Sequence, residues 1–172
     1  MPESIRERRL YSEYRRLSEL AAQSDRFVIE EAVGDPPERY VVRFGCRGVI
    51  RLDKGHAVFG EEHRVQIGLV AEFPMLRPHL AFMSPIFHPN VSADGRVVCI
   101  SQWYPTQYLD NLCLMIWRMI QYKNFDPFSP LHVEAAEWAL LNGKTLPVDS
   151  RPLRRSAENA PLSVGGPEIH LA

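Results

Sequence analysis

The chain has 172 residues, a formal net charge of −1, and 45% hydrophobic and 10% aromatic residues. That length suits one domain with a sizeable core plus a short extra segment, and the composition excludes a disordered chain. A net charge near zero gives no electrostatic case for nucleic acid as the main partner.

The N-terminus opens with Glu3, Arg6, Glu7, Arg8 and Arg9 and has no apolar stretch behind them, which excludes a secretory signal. The longest apolar run, Leu112 to Trp117, is too short to span a bilayer, so no membrane partner is expected. The cysteines, at 46, 99 and 113, are odd in number and widely spaced. They make neither a disulfide framework nor a zinc pattern, and a reduced, cytoplasmic setting without metal or organic cofactor is expected.

Taken in order, residues 3 to about 23 read as an amphipathic helix begun by Ser4 or Pro2. Ile5, Leu10, Tyr14, Leu17, Leu20 and Ala21 fall near one face. From Phe27 to Ala71 the pattern changes to short strands. Residues 27–31, 40–44 and 64–70 are strands, with a turn at Gly34-Asp35-Pro36-Pro37 and clear alternation through Val65, Ile67 and Leu69. Leu80 to Met83 supplies a fourth. Residues 45–62 carry four glycines and read as turns, with a short strand at Val49-Ile50. Asp110 is a candidate cap for a helix carrying Leu112, Cys113, Ile116, Met119 and Ile120. Val133 to Leu141 is another helix, stopped by Asn142-Gly143. Cys46 and Cys113 read as small packing residues.

These elements predict an α+β domain over residues 1–143: an N-terminal helix, an antiparallel meander of about four strands, and C-terminal helices. Residues 144–172, with prolines at intervals and Arg151, Arg154 and Arg155 between them, read as a tail.

Residues 73–105 organise the rest. Phe73-Pro74 opens a proline-punctuated strand that runs into His88-Pro89-Asn90. A loop with Asp94-Gly95 delivers Cys99, and Trp103-Tyr104-Pro105 closes the stretch. Regular structure is not expected from Pro89 until about Leu109, and so long an irregular segment in a compact domain is usually functional. Chemically it is a thiol near an amide donor. Cys99 has a second reading, as a buried half-strand residue between Val98 and Ile100.

This order of His-Pro-Asn, Cys, Trp-x-Pro and then Glu134-Ala135-Ala136 resembles the ubiquitin-conjugating enzymes over roughly half the chain. The resemblance implies a transferase that carries an activated protein C-terminus as a thioester on Cys99 and passes it to an amine. It implies that Asn90 steadies the oxyanion or shapes the loop, and that His88 holds the turn. It implies that the first helix docks an activating enzyme, with Arg6, Arg9 and Arg16 as candidates, and it places Trp103 at a partner surface. Many members carry an Asp before Pro-Leu that helps deprotonate the acceptor lysine. Here that position is Ser129, and nearby Asp126 is the candidate substitute.

The run from His88 to Cys99 is one residue longer than usual, at Val97-Val98, and Arg77 stands where a second proline is expected. Such a divergent chain is similar to the bacterial ubiquitin-conjugating-like families of antiphage operons. The resemblance then implies as partners a ubiquitin-like modifier or a nucleotide-cyclase-type synthase C-terminus, an activating enzyme and an acceptor protein. Two rivals stand beside this reading. One is an inactive relative of the same fold that acts as a scaffold. The other is an unrelated cysteine hydrolase that would take its base from His79, His88 or His132.

Overall fold

A computed structural model describes residues 3–100 and 102–154. The first helix, α1 (Ile5–Ala22), starts where Ser4 and Glu7 cap each other: the Ser4 hydroxyl accepts from the Glu7 N–H, and the Glu7 carboxylate accepts from the Ser4 N–H. This reciprocal cap satisfies two donors that a helix start leaves open. Its inward stripe is Leu10, Glu13, Leu17 and Leu20. Ile5 and Tyr14, expected on that face, are exposed, and the charged Glu13 is fully buried in their stead.

The sheet follows the predicted meander. Strands β1 (Phe27–Gly34), β2 (Pro37–Phe44), β3 (Gly48–Asp53), β4 (His56–Gly60), β5 (His63–Gly68) and β6 (His79–Phe82) form two sheets. The larger is antiparallel in the order β1-β2-β5-β6, and the hairpin β3-β4 forms the smaller. That hairpin is where the sequence pointed to turns. Alternation on β5 buries Val65 and Ile67. On the outer face Glu30 pairs with Arg43 and Arg64, and Arg43 also reaches Glu62.

Two further α-helices follow, α2 (Leu109–Ile120) and α3 (Val133–Leu141), with a 3-10 turn at Gly143–Thr145. Asp110 does not cap α2, whose N-cap position is Tyr108 and has no side-chain cap. The buried Glu13 does that work from α1, accepting from the Leu109 N–H at 2.8 Å. Asp110 lies one residue into the helix, buried, and pairs with Arg16 and Arg154.

Leu10, Leu17, Tyr40, Val65, Leu112, Ile116 and Trp117 belong to the main core. A second apolar cluster gathers Val49, Phe87, Tyr122, Ala135, Trp138 and Ala139. Fully burying one such aliphatic or aromatic side chain stabilises the fold by roughly 1.5–3 kcal/mol.

Residues 144–154, expected to begin a tail, return to the domain. Leu153 is buried in the main core, and the Asp149 N–H donates to the buried Gln121 side chain at 3.2 Å. Residues 155–172 of the expected tail, with Arg155, lie outside the described residues.

Candidate active site

From His88 to Ile100 the chain is almost free of regular structure, and local contacts fix its shape. The His88 Nδ1 accepts from the Asn90 N–H at 3.0 Å. The ring is fully buried against Tyr122, with centroids 4.7 Å apart, and faces Phe125. Burial pushes its pKa down to about 3, against a smaller upward pull from the Met119 carbonyl. A neutral ring that accepts at Nδ1 carries its proton on Nε2. This histidine holds a turn, and burial keeps its ring uncharged at neutral pH.

Beyond it, Val91 and Val98 form an antiparallel bridge. The Ser92 hydroxyl donates to the Asp94 carboxylate and accepts from the Val97 N–H, so the loop tip closes on itself. Gly95 has φ of +75°, and a Cβ there would sit 3.1 Å from the Phe82 carbonyl oxygen. Glycine lets the loop lie on β6, where the Phe82 N–H donates to the Gly95 carbonyl at 2.9 Å. Val98 takes the buried position opposite Val91, while Val97, in the run that is one residue long, is exposed.

Alternation then turns Cys99 outward. It is exposed, whereas Cys46 and Cys113 are buried. Burial pushes the Cys46 thiol up to about 12 and the Cys113 thiol higher still. A thiol held in that range supplies almost no thiolate at neutral pH. The Cys99 N–H donates to the Asn90 carbonyl at 2.8 Å, so the two residues are fastened side by side.

The Asn90 side chain points the other way. Its Nδ2 donates to the Asp126 carbonyl, and its Oδ1 accepts from the Asp126 N–H, both at 2.8 Å. Cys99, Asn90 and Asp126 share the wall of a cleft of about 290 Å³ with Ile100, Met115, Ile116, Met119, Asn124 and Phe125. Among the described residues Asp126 is the one charged group lining the cleft, and its Oδ1 accepts from the Phe128 N–H at 2.9 Å. Ser129 is exposed and lies outside the lining.

The sequence places Ile116 and Met119 on a buried helix face and Asn124 at the helix end, and it gives no role to Met115 or Phe125. The pattern Asn124-Phe125-Asp126-Pro127 at the helix end was the available signal. None of the three histidines weighed for a hydrolase lines the cleft. His79 is exposed on β6, and His132 accepts from the Ala135 N–H to cap α3.

The other expected contact residues are bonded to other parts of the chain. Trp103 donates from Nε1 to the Pro74 carbonyl at 2.8 Å and packs on Phe73, so its indole ties two loops together. Arg6 bridges Glu38 and the carbonyls of Val70 and Ala71. Arg9 reaches Glu13 and the carbonyls of Pro105 and Gln107, and it lies over Tyr108. Arg16 pairs with Asp110 and covers Tyr108 as well. Each of the three thus has its guanidinium engaged within the chain, because acceptors brought in from other elements surround it. On the same helix, Arg8 and Arg15 are exposed.

Residues 13–145 match the family model described as "Ubiquitin-conjugating enzyme". The chain belongs to the ubiquitin-conjugating enzyme family. A ubiquitin-conjugating enzyme of African swine fever virus is 31% identical over 86 residues, 43% of this chain and 39% of that protein. Ubiquitin-conjugating enzyme E2 16 of Schizosaccharomyces pombe is 34% identical over 77 residues, 42% of this chain and 47% of that one. The chain thus spans less than half the length of these two curated relatives.

Among solved structures, a Toxoplasma gondii ubiquitin-conjugating E2 domain superposes with a TM-score of 0.57 at 20% identity, covering 80% of this chain and 88% of that one. Human ubiquitin-conjugating enzyme E2 G1 gives 0.51 at 22%, covering 66% and 95%. These two likenesses establish the ubiquitin-conjugating fold. Among the described residues no helix is long and apolar enough to cross a membrane.

Proposed function

We propose that this ubiquitin-conjugating family member accepts an activated protein C-terminus as a thioester on Cys99 and transfers it to an amine. In the first step the Cys99 thiolate attacks the donor thioester carbonyl. A new C–S bond forms to Sγ, and the donor's thiol leaves with the proton that Cys99 gave up. In the second step an amine attacks the Cys99 thioester, the C–S bond breaks and an amide forms. The amine's proton passes to solvent through the acidic side of the cleft, where Asp126 is the one carboxylate.

The observation that carries this reading is the exposure of Cys99 at the rim of a cleft it shares with Asp126. Asn90 acts here as the residue that shapes the acceptor side, since both ends of its amide already hold the Asp126 backbone. Ser129 lies outside the cleft lining and is given no part in this transfer. Exposed Arg8 and Arg15, beside Tyr11 on α1, are assigned to docking the activating enzyme. The donor is a ubiquitin-like modifier or a synthase C-terminus. A cytoplasmic setting is read from the cysteine number and spacing, and an antiphage one from the sequence resemblance.

The test mixes the chain with a candidate activating enzyme, modifier and ATP. A thiol-sensitive adduct on a non-reducing gel, replaced by a thiol-resistant ester in Cys99→Ser and lost in Cys99→Ala, supports the proposal. Full biological function in Cys99→Ala would leave a scaffold.

A further inference from the structure

The sequence holds only three lysines, at 54, 123 and 144. Lys54 is exposed in the turn of the β3-β4 hairpin, and Lys144 is exposed in the 3-10 turn after α3. Neither lines the Cys99 cleft or adjoins a residue that does. Lys123 is placed differently. It directly precedes Asn124, Phe125 and Asp126, three consecutive residues of the cleft lining.

The fold fixes that place. At the end of α2 the Tyr122 N–H donates to the Met119 carbonyl and the Lys123 N–H to the Arg118 carbonyl, both at 2.9 Å. This pair of bonds needs a left-handed residue at its centre, a position usually given to glycine. Tyr122 takes it here, with φ of +56°. Its side chain holds the conformation: the hydroxyl donates to the Phe87 carbonyl at 2.5 Å, and the ring packs on His88 and Phe125. The turn that carries Lys123 is thus fastened both to the histidine turn and to the cleft wall.

Lys123 itself is exposed, and among the described residues its amine has no hydrogen bond or ion pair. A lysine amine rides on a flexible four-carbon stem. That stem outreaches the ~3.5 Å by which one extended residue advances the chain. From the position next to Asn124 the amine therefore reaches back to the cleft whose wall includes Cys99.

We infer that Lys123 is a modification site, the acceptor for self-transfer from Cys99 within the same chain. The inference rests on the proposed thioester chemistry and names an acceptor for it. The neutral Lys123 amine attacks the thioester carbonyl on Cys99. A C–N bond forms, the C–S bond breaks, and Cys99 leaves as a thiolate. The amine's surplus proton passes by Asp126 to solvent or to that thiolate, and nothing is oxidised or reduced. An amine held beside the acyl carbon reacts at an effective concentration that dissolved amines do not reach.

The experiment bypasses the activating enzyme. A short acetylated peptide ending in Gly-Gly, supplied as the thioester of a small thiol, loads Cys99, and Cys99→Ala reports any direct acylation of amines. Excess peptide is removed. Conversion of the thiol-sensitive adduct into a thiol-resistant one is followed by intact mass at several dilutions, and peptide mapping locates the acyl group. A Cys99 loaded only by the activating enzyme is followed in the same way from that thioester.

The acyl group is expected on Lys123, at a rate independent of protein concentration. Lys123→Arg should load Cys99 as before and convert at least about tenfold more slowly, since the held amine is gone. Lys54→Arg and Lys144→Arg should match the unsubstituted chain. Loaded Lys123→Arg mixed with Cys99→Ala should leave the second chain unacylated. An adduct on Lys54, on Lys144 or on that second chain would overturn the inference and leave the thioester reading standing. So would an unchanged rate in Lys123→Arg, or loss of the acyl group to water with no thiol-resistant product. A Cys99 that neither the peptide nor the activated modifier acylates would remove both.

Discussion

The Asn90 side chain meets the backbone of Asp126 twice, donating to its carbonyl and accepting from its N–H, each at 2.8 Å. Two residues 36 positions apart are thereby held as if they were neighbours in a ladder. The Asn90 carbonyl meanwhile takes the Cys99 N–H. One residue thus sets the spacing between the thiol and the loop across the cleft.

Asn90→Ala should therefore loosen residues 124–128 while leaving the Cys99 backbone bond intact. Asn90 is buried, and removing it strands two backbone groups, which costs about 1–3 kcal/mol each if water does not reach them. Hydrogen exchange is expected to accelerate at the Asp126 amide, and the urea midpoint to fall. An unchanged exchange rate at Asp126 would contradict the lock.

Asp126 and Ser129 separate the two candidates for acceptor activation. Asp126 lines the cleft and Ser129 does not. Asp126→Ala is expected to slow discharge of a preformed Cys99 thioester to free lysine by about 10²-fold, the lower end of what positioned proton acceptors supply. Thioester formation should be spared, and Ser129→Ala should discharge at the unsubstituted rate. A slow Ser129→Ala variant with normal Asp126→Ala would reverse the assignment.

Much of this frame was legible because its signals are local. The period-two pattern through Val65 and Ile67 marks β5, and the helical spacing up to Asn142-Gly143 marks α3. The hairpin β3-β4 was legible only in part: Val49-Ile50 reads as a short strand and falls on β3, but Gly48 and Gly60 read as turn residues. Gly48 is instead required by packing: a Cβ there would lie 2.7 Å from the His63 ring. The roles of Arg9 and Arg16 were hidden for a different reason. Their acceptors at Pro105, Gln107 and Asp110 lie 94 to 98 positions away. Leu153 gave no periodic signal at all, being a lone apolar residue among prolines and arginines. In the candidate site, the motif residues Asn90 and Cys99 could be read from sequence. The cleft walls could not, since α2 and the loop after it meet Cys99 only in the fold.

His88 gives a pH dependence with a definite sign. Its folded pKa, about 3, lies below the ordinary histidine value near 6.5, because burial disfavours the charged ring. Between those two values the unfolded chain binds the proton that the folded chain refuses. Stability is thus full above about pH 6.5 and falls as the pH drops toward 3, by up to about 1.4 kcal/mol per pH unit from this group. Buried His63, also shifted down by burial, acts in the same direction. The His88 ring resonances should not titrate between pH 8 and 5 in the folded protein. A midpoint near 6.5 would refute the buried, neutral turn holder.

Arg154 tests whether the return of residues 144–154 is structural. Its guanidinium joins Arg16 on the buried Asp110 carboxylate. Burial alone would raise the Asp110 pKa, but the two arginines together outweigh it and hold the carboxyl below its ordinary value. A depressed carboxylate stabilises the fold above the unfolded pKa, near 3.9, and that share is lost as the pH falls through the folded value. Glu13, raised by burial against the pull of Leu109 and Arg9, responds in the opposite sense and regains stability on acidification. Because Arg154 is half exposed, Arg154→Ala should cost only about 1 kcal/mol at pH 7. The deficit should shrink as the pH falls through the lowered folded value of Asp110, where the carboxyl becomes neutral. Urea titrations at pH 7 and pH 3 measure both values. A deficit that persists unchanged at pH 3 would mean that Arg154 acts through packing beside Leu153 and not through the charge of Asp110.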